Sequence, residues 1–236
     1  MNSMMKITLA GAVVLATAWV AQADVVAGYD FASDLSVTTE DANVTANDFT
    51  VGAGITGSGR SSGSKSLFAR ASLTDGANQI SLANAIPAND YFSFTVDVAA
   101  GYEMDLTNFQ FDAGYTRNGS FEGKQFRTYL LTSIDGFVTG GLIDFETVDA
   151  TVNGASLQYP NGTTTISLAG AQFQNITTSA EFRLYLADNT GSADYIHRLD
   201  NITLNGTVSV IPEPATMGLL GIGGLVTMAL RRRMTA

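Results

Sequence analysis

Apolar and polar residues alternate with a period of two along most of the chain between residues 24 and 210, and β-branched and aromatic residues fill these runs. Within the segment 91–98 (YFSFTVDV), Phe92 and Phe94 fall on one side of the period, while Ser93 and Thr95 fall on the other. This pattern is typical of strands that bury one face. Similar runs predict further strands at 25–31, 106–115, 126–134, 163–168, 182–186 and 202–210.

Pairs of turn-forming residues separate these runs, because Asn-Gly and Asp-Gly tolerate positive φ. No stretch of the middle has a sustained period of 3.6 residues, so we expect little helix. The sequence therefore predicts an all-β domain at 24–210, an antiparallel, jelly-roll-like β-sandwich with its first and last strands adjacent; a closed barrel is the alternative. The turn pairs are Asp75-Gly76, Asn118-Gly119, Asp135-Gly136, Asn153-Gly154, Asn161-Gly162 and Asn205-Gly206.

The segment 51–65 (VGAGITGSGRSSGSK) is rich in glycine and serine and predicts a long flexible surface loop. The loop either only connects two strands or lines a binding face. It lacks the Lys-Ser/Thr ending of a phosphate-binding P-loop, so its sequence does not support nucleotide binding.

The N-terminus has the features of a secretory signal peptide. One lysine precedes an uncharged apolar run at 7–20, which is shorter than the roughly 20 residues that a spanning helix needs. Ala21 and Ala23 then place small residues at the two positions that signal peptidase inspects, and Asp24 follows them. We therefore expect residues 1–23 to form a signal-peptide helix that signal peptidase removes, rather than a permanent N-terminal anchor.

The C-terminal segment 211–236 has three parts. Two prolines flank a glutamate, which excludes a central strand or a helix interior and favours an accessible, extended backbone. The apolar, uncharged run 215–230 would reach about 24 Å as a helix, somewhat less than a hydrocarbon core of about 30 Å. A basic cluster then ends the chain and would stop translocation on the cytoplasmic side. The proline-flanked motif is Pro212, Glu213 and Pro214, and the stop-transfer residues are Arg231, Arg232 and Arg233.

These three parts in this order resemble the PEP-CTERM protein-sorting signal. The resemblance implies recognition by a membrane exosortase through Pro212, Glu213 and Pro214, with cleavage or transfer near that motif. It also implies an exported protein of the cell envelope or extracellular space that is only transiently anchored in the inner membrane through 215–230. The alternative is a plain tail anchor. The resemblance covers the tail alone, and the domain at 24–210 is only diffusely similar to β-sandwich domains found with this signal.

Charge and composition exclude several classes of function. The domain at 24–210 holds 8 basic and 21 acidic residues, a net charge of −13. Nucleic-acid binding needs clustered Lys and Arg to neutralise phosphates, so we expect no nucleic-acid partner. The chain has no cysteine, which excludes disulfides, thiolate zinc sites and cysteine chemistry.

Candidates for chemistry in the domain are few. His197, the chain's single histidine, is predicted to be a solvated surface residue, because strand offsets of three place Asp194 and Asp200 on the opposite face. A loop of oxygen-bearing side chains, Asp188, Asn189 and Asp194, is a candidate Ca²⁺ site, although such residues commonly form Asx turns. We expect no catalytic residues and no other cofactor. A pair of acidic residues suited to glycoside hydrolysis is a three-dimensional arrangement that the sequence does not show.

Glycan binding commonly uses aromatic faces, and the only tryptophan, Trp19, lies in the signal peptide. The tyrosines of the domain could substitute, although most fall in predicted strands where packing is the default. The sequence thus predicts an exported, non-catalytic protein with a structural or interaction role, in an exopolysaccharide matrix. The first alternative is a carbohydrate-binding module, and the second is a secreted polysaccharide hydrolase. The tyrosines are Tyr102, Tyr115, Tyr129, Tyr159, Tyr185 and Tyr195.

Overall fold

The computed structural model describes residues 24–70, 80–116, 124–150, 157–190 and 196–212, which form thirteen strands and one short α-helix. The strands of the first half are β1 (Asp24–Tyr29), β2 (Thr39–Glu40), β3 (Val44–Ala46), β4 (Thr50–Val51), β5 (Thr56–Ser61) and β6 (Ser66–Arg70). The helix α1 (Leu82–Ala88) follows them. The remaining strands are β7 (Tyr91–Val98), β8 (Tyr102–Thr116), β9 (Lys124–Thr132), β10 (Asp144–Ala150), β11 (Thr163–Ser167), β12 (Ala180–Asp188) and β13 (Ile196–Val210).

These strands form two antiparallel sheets. Sheet A has the order β11-β8-β13-β1-β2, with β6 also paired to β13 and β5 paired to β6. Sheet B has the order β10-β9-β12-β7-β3, with β4 also paired to β7. The prediction of an antiparallel, two-sheet β-sandwich is therefore confirmed, and the described strands do not close into a barrel.

Phenylalanines from both sheets stack in the core. Phe182 on β12 lies opposite Phe94 on β7 in sheet B, with 5.2 Å between the ring centroids. Phe109 of sheet A lies 6.1 Å from Phe94 and 6.2 Å from Phe182. Burial of one such side chain stabilises the fold by about 1.5–3 kcal/mol, so this stack is one of the main links between the two sheets.

The first and last strands are neighbours, as predicted. β1 pairs with β13, and Asp24 lies opposite Gly206. Val210, the last residue of β13, lies opposite Tyr102 at the same end of the sandwich. Both ends of the described chain therefore leave the domain from one end, which we call the tail end.

The prediction of a flexible loop at 51–65 is wrong, because this segment contains most of a β-hairpin formed by β5 and β6. Arg60 lies opposite Leu67, and Leu67 in turn lies opposite Leu199 on β13. Leu67 is fully buried, so the hairpin is held in place by pairing with sheet A and by its contribution to the core. Tertiary pairing overrides the low strand propensity of the Gly/Ser-rich sequence.

One predicted turn is also wrong, since Asn205 and Gly206 lie inside β13. The register between β13 and β8 shifts between these two residues, which marks a β-bulge. A Cβ on Gly206 would collide with the backbone of Asp105, so glycine permits the close approach of β8 here. Gly136 and Gly162 do adopt positive φ, as their predicted turns require. The other three predicted turn pairs lie outside the described residues.

Candidate functional site

The outer face of sheet B carries four aromatic residues in one row across four strands. In the register of the sheet, Phe145 lies opposite Tyr129, Tyr129 opposite Tyr185, and Tyr185 opposite Tyr91. Side chains of residues at equivalent positions on neighbouring strands share a face, which brings these rings together. The ring centroids of Tyr129 and Phe145 are 5.4 Å apart, and those of Tyr91 and Tyr185 are 5.1 Å apart.

The helix α1 covers the middle of this row. Leu82 and Ala85 of α1 pack against Tyr129 and Tyr185, which are only 4 % and 1 % exposed. The hydroxyl of Tyr129 donates a hydrogen bond of 2.5 Å to the carbonyl of Ile80, just before the helix. The two central tyrosines therefore serve packing, and only the ends of the row are open to a ligand.

Phe145 and Arg127 form the open end of the row, which we call the Phe145 platform. Phe145 is 43 % exposed, and the guanidinium carbon of Arg127 lies 5.4 Å from its ring centroid. Nη1 of Arg127 donates to the carbonyl of Ile80 at 3.3 Å, which holds the guanidinium beside the ring. An exposed aromatic ring next to a cation offers a stacking surface together with donors for hydroxyl or carboxylate groups.

Arg183 occupies the other end of the row and is fully engaged by the protein. Its guanidinium carbon lies 4.3 Å from the ring centroid of Tyr91 and 3.8 Å from that of Phe137. Its Nε donates to Glu181 at 2.7 Å, and its Nη1 donates to the hydroxyl of Tyr185 at 3.3 Å. These contacts make Arg183 a structural residue, so the Phe145 platform is the better candidate for ligand contact.

The tyrosines that the sequence offered as glycan-binding residues differ in their exposure to solvent. Tyr115 is 1 % exposed and stacks on Phe126 inside the sandwich, with 5.4 Å between centroids. Tyr102 and Tyr159 are half-buried, and Tyr195 lies outside the described residues. The strongest aromatic candidate, Phe145, was missed because β10 was not predicted. The apolar residues of β10 do not keep a period of two, because Phe145 is out of phase with the buried Val148 and Ala150, so the sequence pattern did not mark this strand.

His197 is buried, so the prediction of a solvated surface histidine is wrong. Its side chain is 2 % exposed, and its Nε2 lies 3.0 Å from Oδ2 of Asp188, whose side chain is 10 % exposed. Its ring also makes an edge contact with Phe126, at 5.0 Å between centroids. Asp188 belongs to sheet B and His197 to sheet A, so the pair joins the two sheets.

Two of the three candidate Ca²⁺ ligands, Asp188 and Asn189, already have hydrogen-bond partners within the protein. Oδ1 of Asp188 accepts hydrogen bonds from the backbone N–H and the hydroxyl of Thr190. Burial alone would raise the pKa of Asp188, but the hydrogen bond and the charge of His197 lower it below its ordinary value. Oδ1 of Asn189 accepts from the backbone N–H of Gln125 at 2.8 Å, and Asp194 lies outside the described residues. In the described part of the chain, no three His, Cys, Asp or Glu side chains are grouped so that they could hold a metal ion.

Two acidic residues face each other on the outer face of sheet A. Asp112 lies opposite Asp200 and accepts from the hydroxyl of Thr163 at 2.6 Å and from the amide of Asn201 at 2.8 Å. Burial, together with the charges of Asp112 and Asp30, raises the pKa of Asp200 to about 6.

A depression of about 350 Å³ lies elsewhere in the molecule, between the end of β9 and the segment that precedes β12. It therefore does not coincide with the two acidic residues on sheet A. No ionisable side chain lines it, so this depression offers no general acid or base. Its lining residues are Ser133, Ile134, Gln172, Gln174, Asn175, Ile176, Thr177, Thr178 and Ser179.

At the tail end, β13 leads directly into the proline-flanked motif. The backbone N–H of Ile211 donates to the carbonyl of Gly101 at 2.9 Å, and Pro212 is exposed. The described residues end there, and among them no helix is long and apolar enough to cross a membrane. The remaining predicted processing residues lie outside the described residues: Ala21, Ala23, Glu213, Pro214, the run 215–230, Arg231, Arg232 and Arg233.

Comparison with solved structures returns carbohydrate-binding modules and an adhesin domain at low similarity. The mannan-recognising module TmCBM27 is 14 % identical, with a TM-score of 0.36, over 79 % of this chain and 99 % of its own. The adhesin domain of the Porphyromonas gingivalis Lys-gingipain is 11 % identical, with a TM-score of 0.29, over 78 % and 98 %. The CBM22 tandem domain of Paenibacillus barcinonensis Xyn10C is 15 % identical, with a TM-score of 0.31, over 84 % and 50 %. Similarities at this level carry no information about what the present chain binds.

No curated protein matches the chain. Residues 210–233 of the chain match the family model of the PEP-CTERM protein-sorting motif. The match begins on the last residue of β13 and includes Pro212, Glu213 and Pro214, together with the basic residues Arg231, Arg232 and Arg233. The chain is therefore a β-sandwich followed directly by a segment that matches the PEP-CTERM protein-sorting motif.

Proposed function

We propose that this protein is exported, sorted by an exosortase and delivered to the cell envelope or extracellular matrix, where its sandwich has a non-catalytic structural or interaction role. The observation that carries the proposal is the sorting motif at 210–233, which starts where the last strand ends. Signal peptidase and exosortase are the processing partners, and contact with the membrane through 215–230 is transient.

The geometry of the tail end supports this route. β1 begins at Asp24, the residue after the expected cleavage site, and it pairs with β13. Both processing sites therefore flank the same end of a folded domain, and the exposed Pro212 leaves that end. Cleavage at either site removes a terminal segment without breaking a strand of the sandwich.

Fractionation of cells that possess an exosortase tests the sorting role. A variant in which Pro212, Glu213 and Pro214 are all replaced by alanine should stay in the inner membrane as the unprocessed form. Ser209→Ala is the matched control, because Ser209 is exposed on β13 just before the motif. Release of the triple variant at the level of the control would contradict the proposal.

A second candidate function is polysaccharide binding, and the Phe145 platform favours it. The platform combines an exposed ring with a guanidinium that is held in place, in a domain whose net charge is otherwise strongly negative. A sugar ring can stack on the aromatic face while the guanidinium of Arg127 binds a hydroxyl or carboxylate group.

Affinity electrophoresis of the purified mature protein against acidic and neutral polysaccharides tests this candidate. Phe145→Ala and Arg127→Ala should each weaken binding at least tenfold. Val138→Ala is the control, since Val138 is an apolar side chain that is 55 % exposed in the segment between β9 and β10. Equal retardation of Phe145→Ala and Val138→Ala would exclude the platform, and release of reducing sugar by the protein would contradict the non-catalytic role.

A further inference from the structure

The edge strand β11 of sheet A (Thr163–Ser167, TTTIS) has none of the features that protect exposed sheet edges. It consists of four hydroxyl-bearing residues and one isoleucine, without charge, proline or glycine. Such a strand presents free backbone groups and favours pairing with another strand. Proteins usually protect such edges with charges, bulges or very short strands.

The other edges of the two sheets are protected in these ways. β10, the neighbouring edge in sheet B, carries Asp144, Glu146 and Asp149, and Asn161 donates to its Thr147 carbonyl at 3.0 Å. The strands β2, β3 and β4 are only two or three residues long. β5 contains two glycines and a register shift in its pairing with β6. Among the described edges, β11 is the exception.

The hydrogen bonds between β11 and β8 determine which backbone groups of β11 point outward. The N–H of Leu168, directly after the strand, donates to the carbonyl of Thr107 on β8 at 2.9 Å. In an antiparallel strand the backbone N–H and C=O groups of successive residues point alternately to the two sides of the strand. The backbone groups of Ile166 and Thr164 therefore also face β8. The N–H and C=O groups of Thr163, Thr165 and Ser167 therefore point away from sheet A, and within the described residues none of them has a hydrogen-bond partner.

We propose that β11 pairs antiparallel with β11 of a second copy of this chain, around a two-fold axis at Thr165. In this register Thr165 faces its own counterpart and Thr163 faces Ser167 of the partner subunit. All three pairs are of the hydrogen-bonded type, which gives six backbone hydrogen bonds. This inference does not depend on the sorting route or on polysaccharide binding.

The side chains of β11 fit a second copy better than a foreign strand. The side chains of Thr163, Thr165 and Ser167 lie on the exposed outer face of sheet A, where the two-fold axis would bring hydroxyl groups together across the strands. Thr–Thr and Thr–Ser pairs are favourable across antiparallel strands. No charge lies on β11, so the two-fold axis brings no like charges face to face.

The acidic residues near β11 determine how dimerisation should depend on the salt concentration. β10 lies on the same side of the sandwich as β11, as the hydrogen bond from Asn161 to Thr147 shows. The acidic residues of β10 in the two copies would therefore flank the interface and repel each other. Because salt screens such repulsion, dimerisation should strengthen as ionic strength rises.

Sedimentation equilibrium of the mature protein across a concentration series tests the proposal. The wild type should show a reversible monomer–dimer equilibrium. Thr165→Pro should shift it to monomer, because proline removes an outward N–H that sheet A does not use. Thr165→Lys should do the same by placing two like charges opposite each other. Each variant should weaken dimerisation at least tenfold.

The matched control is Thr39→Lys, which adds the same charge to an exposed threonine on β2, at the opposite edge of sheet A. The control should dimerise like the wild type. If Thr165→Pro does not fold, Thr165→Lys still decides the question. A wild type that remains monomeric at the highest soluble concentration would overturn the proposal, as would dimerisation of Thr165→Lys at wild-type strength.

Discussion

Replacement of His197 by alanine is expected to destabilise the sandwich strongly. The imidazole is 2 % exposed and is the partner on sheet A of Asp188 on sheet B. Its loss leaves the carboxylate of Asp188, which is 10 % exposed, with Thr190 as its remaining hydrogen-bonding partner among the described residues. It also removes the edge contact between the imidazole and Phe126.

The size of the effect follows from the cost of an uncompensated buried charge. Removing the partner of a buried charge costs about 3–5 kcal/mol, because the charge is left uncompensated. In a domain of this size each kcal/mol lowers Tm by about 2–4 °C, so we expect a fall of about 6–20 °C. Calorimetry or urea unfolding of the purified mature protein measures it.

Glu181→Gln is the matched control for this experiment. Glu181 and Arg183 form an ion pair at 2.7 Å, but their side chains are 28 % and 22 % exposed. A solvent-accessible pair contributes under about 1 kcal/mol, so this variant should unfold within a few degrees of the wild type. An equal loss of stability in His197→Ala and Glu181→Gln would refute the argument that burial makes the His197 pair important.

The pH dependence of Asp188→Asn gives an independent check on the same pair. The pKa of Asp188 is lowered in the folded state, so its interactions stabilise the protein above the unfolded pKa of about 4. This stability is lost as the pH falls through the folded pKa. The variant should therefore be less stable than the wild type at neutral pH, and the difference should shrink below about pH 4.

Two further predictions concern the rest of the domain. Because the pKa of Asp200 is raised to about 6, the wild type should lose stability as the pH rises from about 4 through 6. Asp200→Asn should then be more stable than the wild type by about 1 kcal/mol at neutral pH, after allowance for solvent screening. Below about pH 4 the variant and the wild type should be equally stable. A variant that is less stable than the wild type at neutral pH would contradict this prediction. Phe109→Ala, in the stack with Phe94 and Phe182, should cost about 3–5 kcal/mol in urea unfolding, and a loss below about 1 kcal/mol would show that the stack does not join the sheets.

Period-two alternation predicted the long strands because it reports the buried face directly. Phe92 and Phe94 on β7 point into the core as their spacing requires, and both are 1 % exposed. The Gly/Ser-rich β5 has no such signal. Its strand state comes from pairing with β6, whose Leu67 and Ala69 dock on β13, and pairing between distant segments is not visible in local sequence.

The burial of His197 could not be read from the sequence for a similar reason. Its partner Asp188 is close in sequence but lies on the other sheet, so offsets along one strand do not reveal the contact. The Phe145 platform depends on the register between β9 and β10, which sets Phe145 beside Tyr129. The sorting motif was recognisable because its three parts are contiguous in the chain.

Mass spectrometry of the mature protein from cells that possess an exosortase is the decisive test of the proposed export and sorting. We expect an N-terminus at Asp24 and a C-terminus near Pro212, Glu213 and Pro214, with the apolar run and the basic cluster removed. A mature protein that is intact through Ala236 in such cells would contradict it.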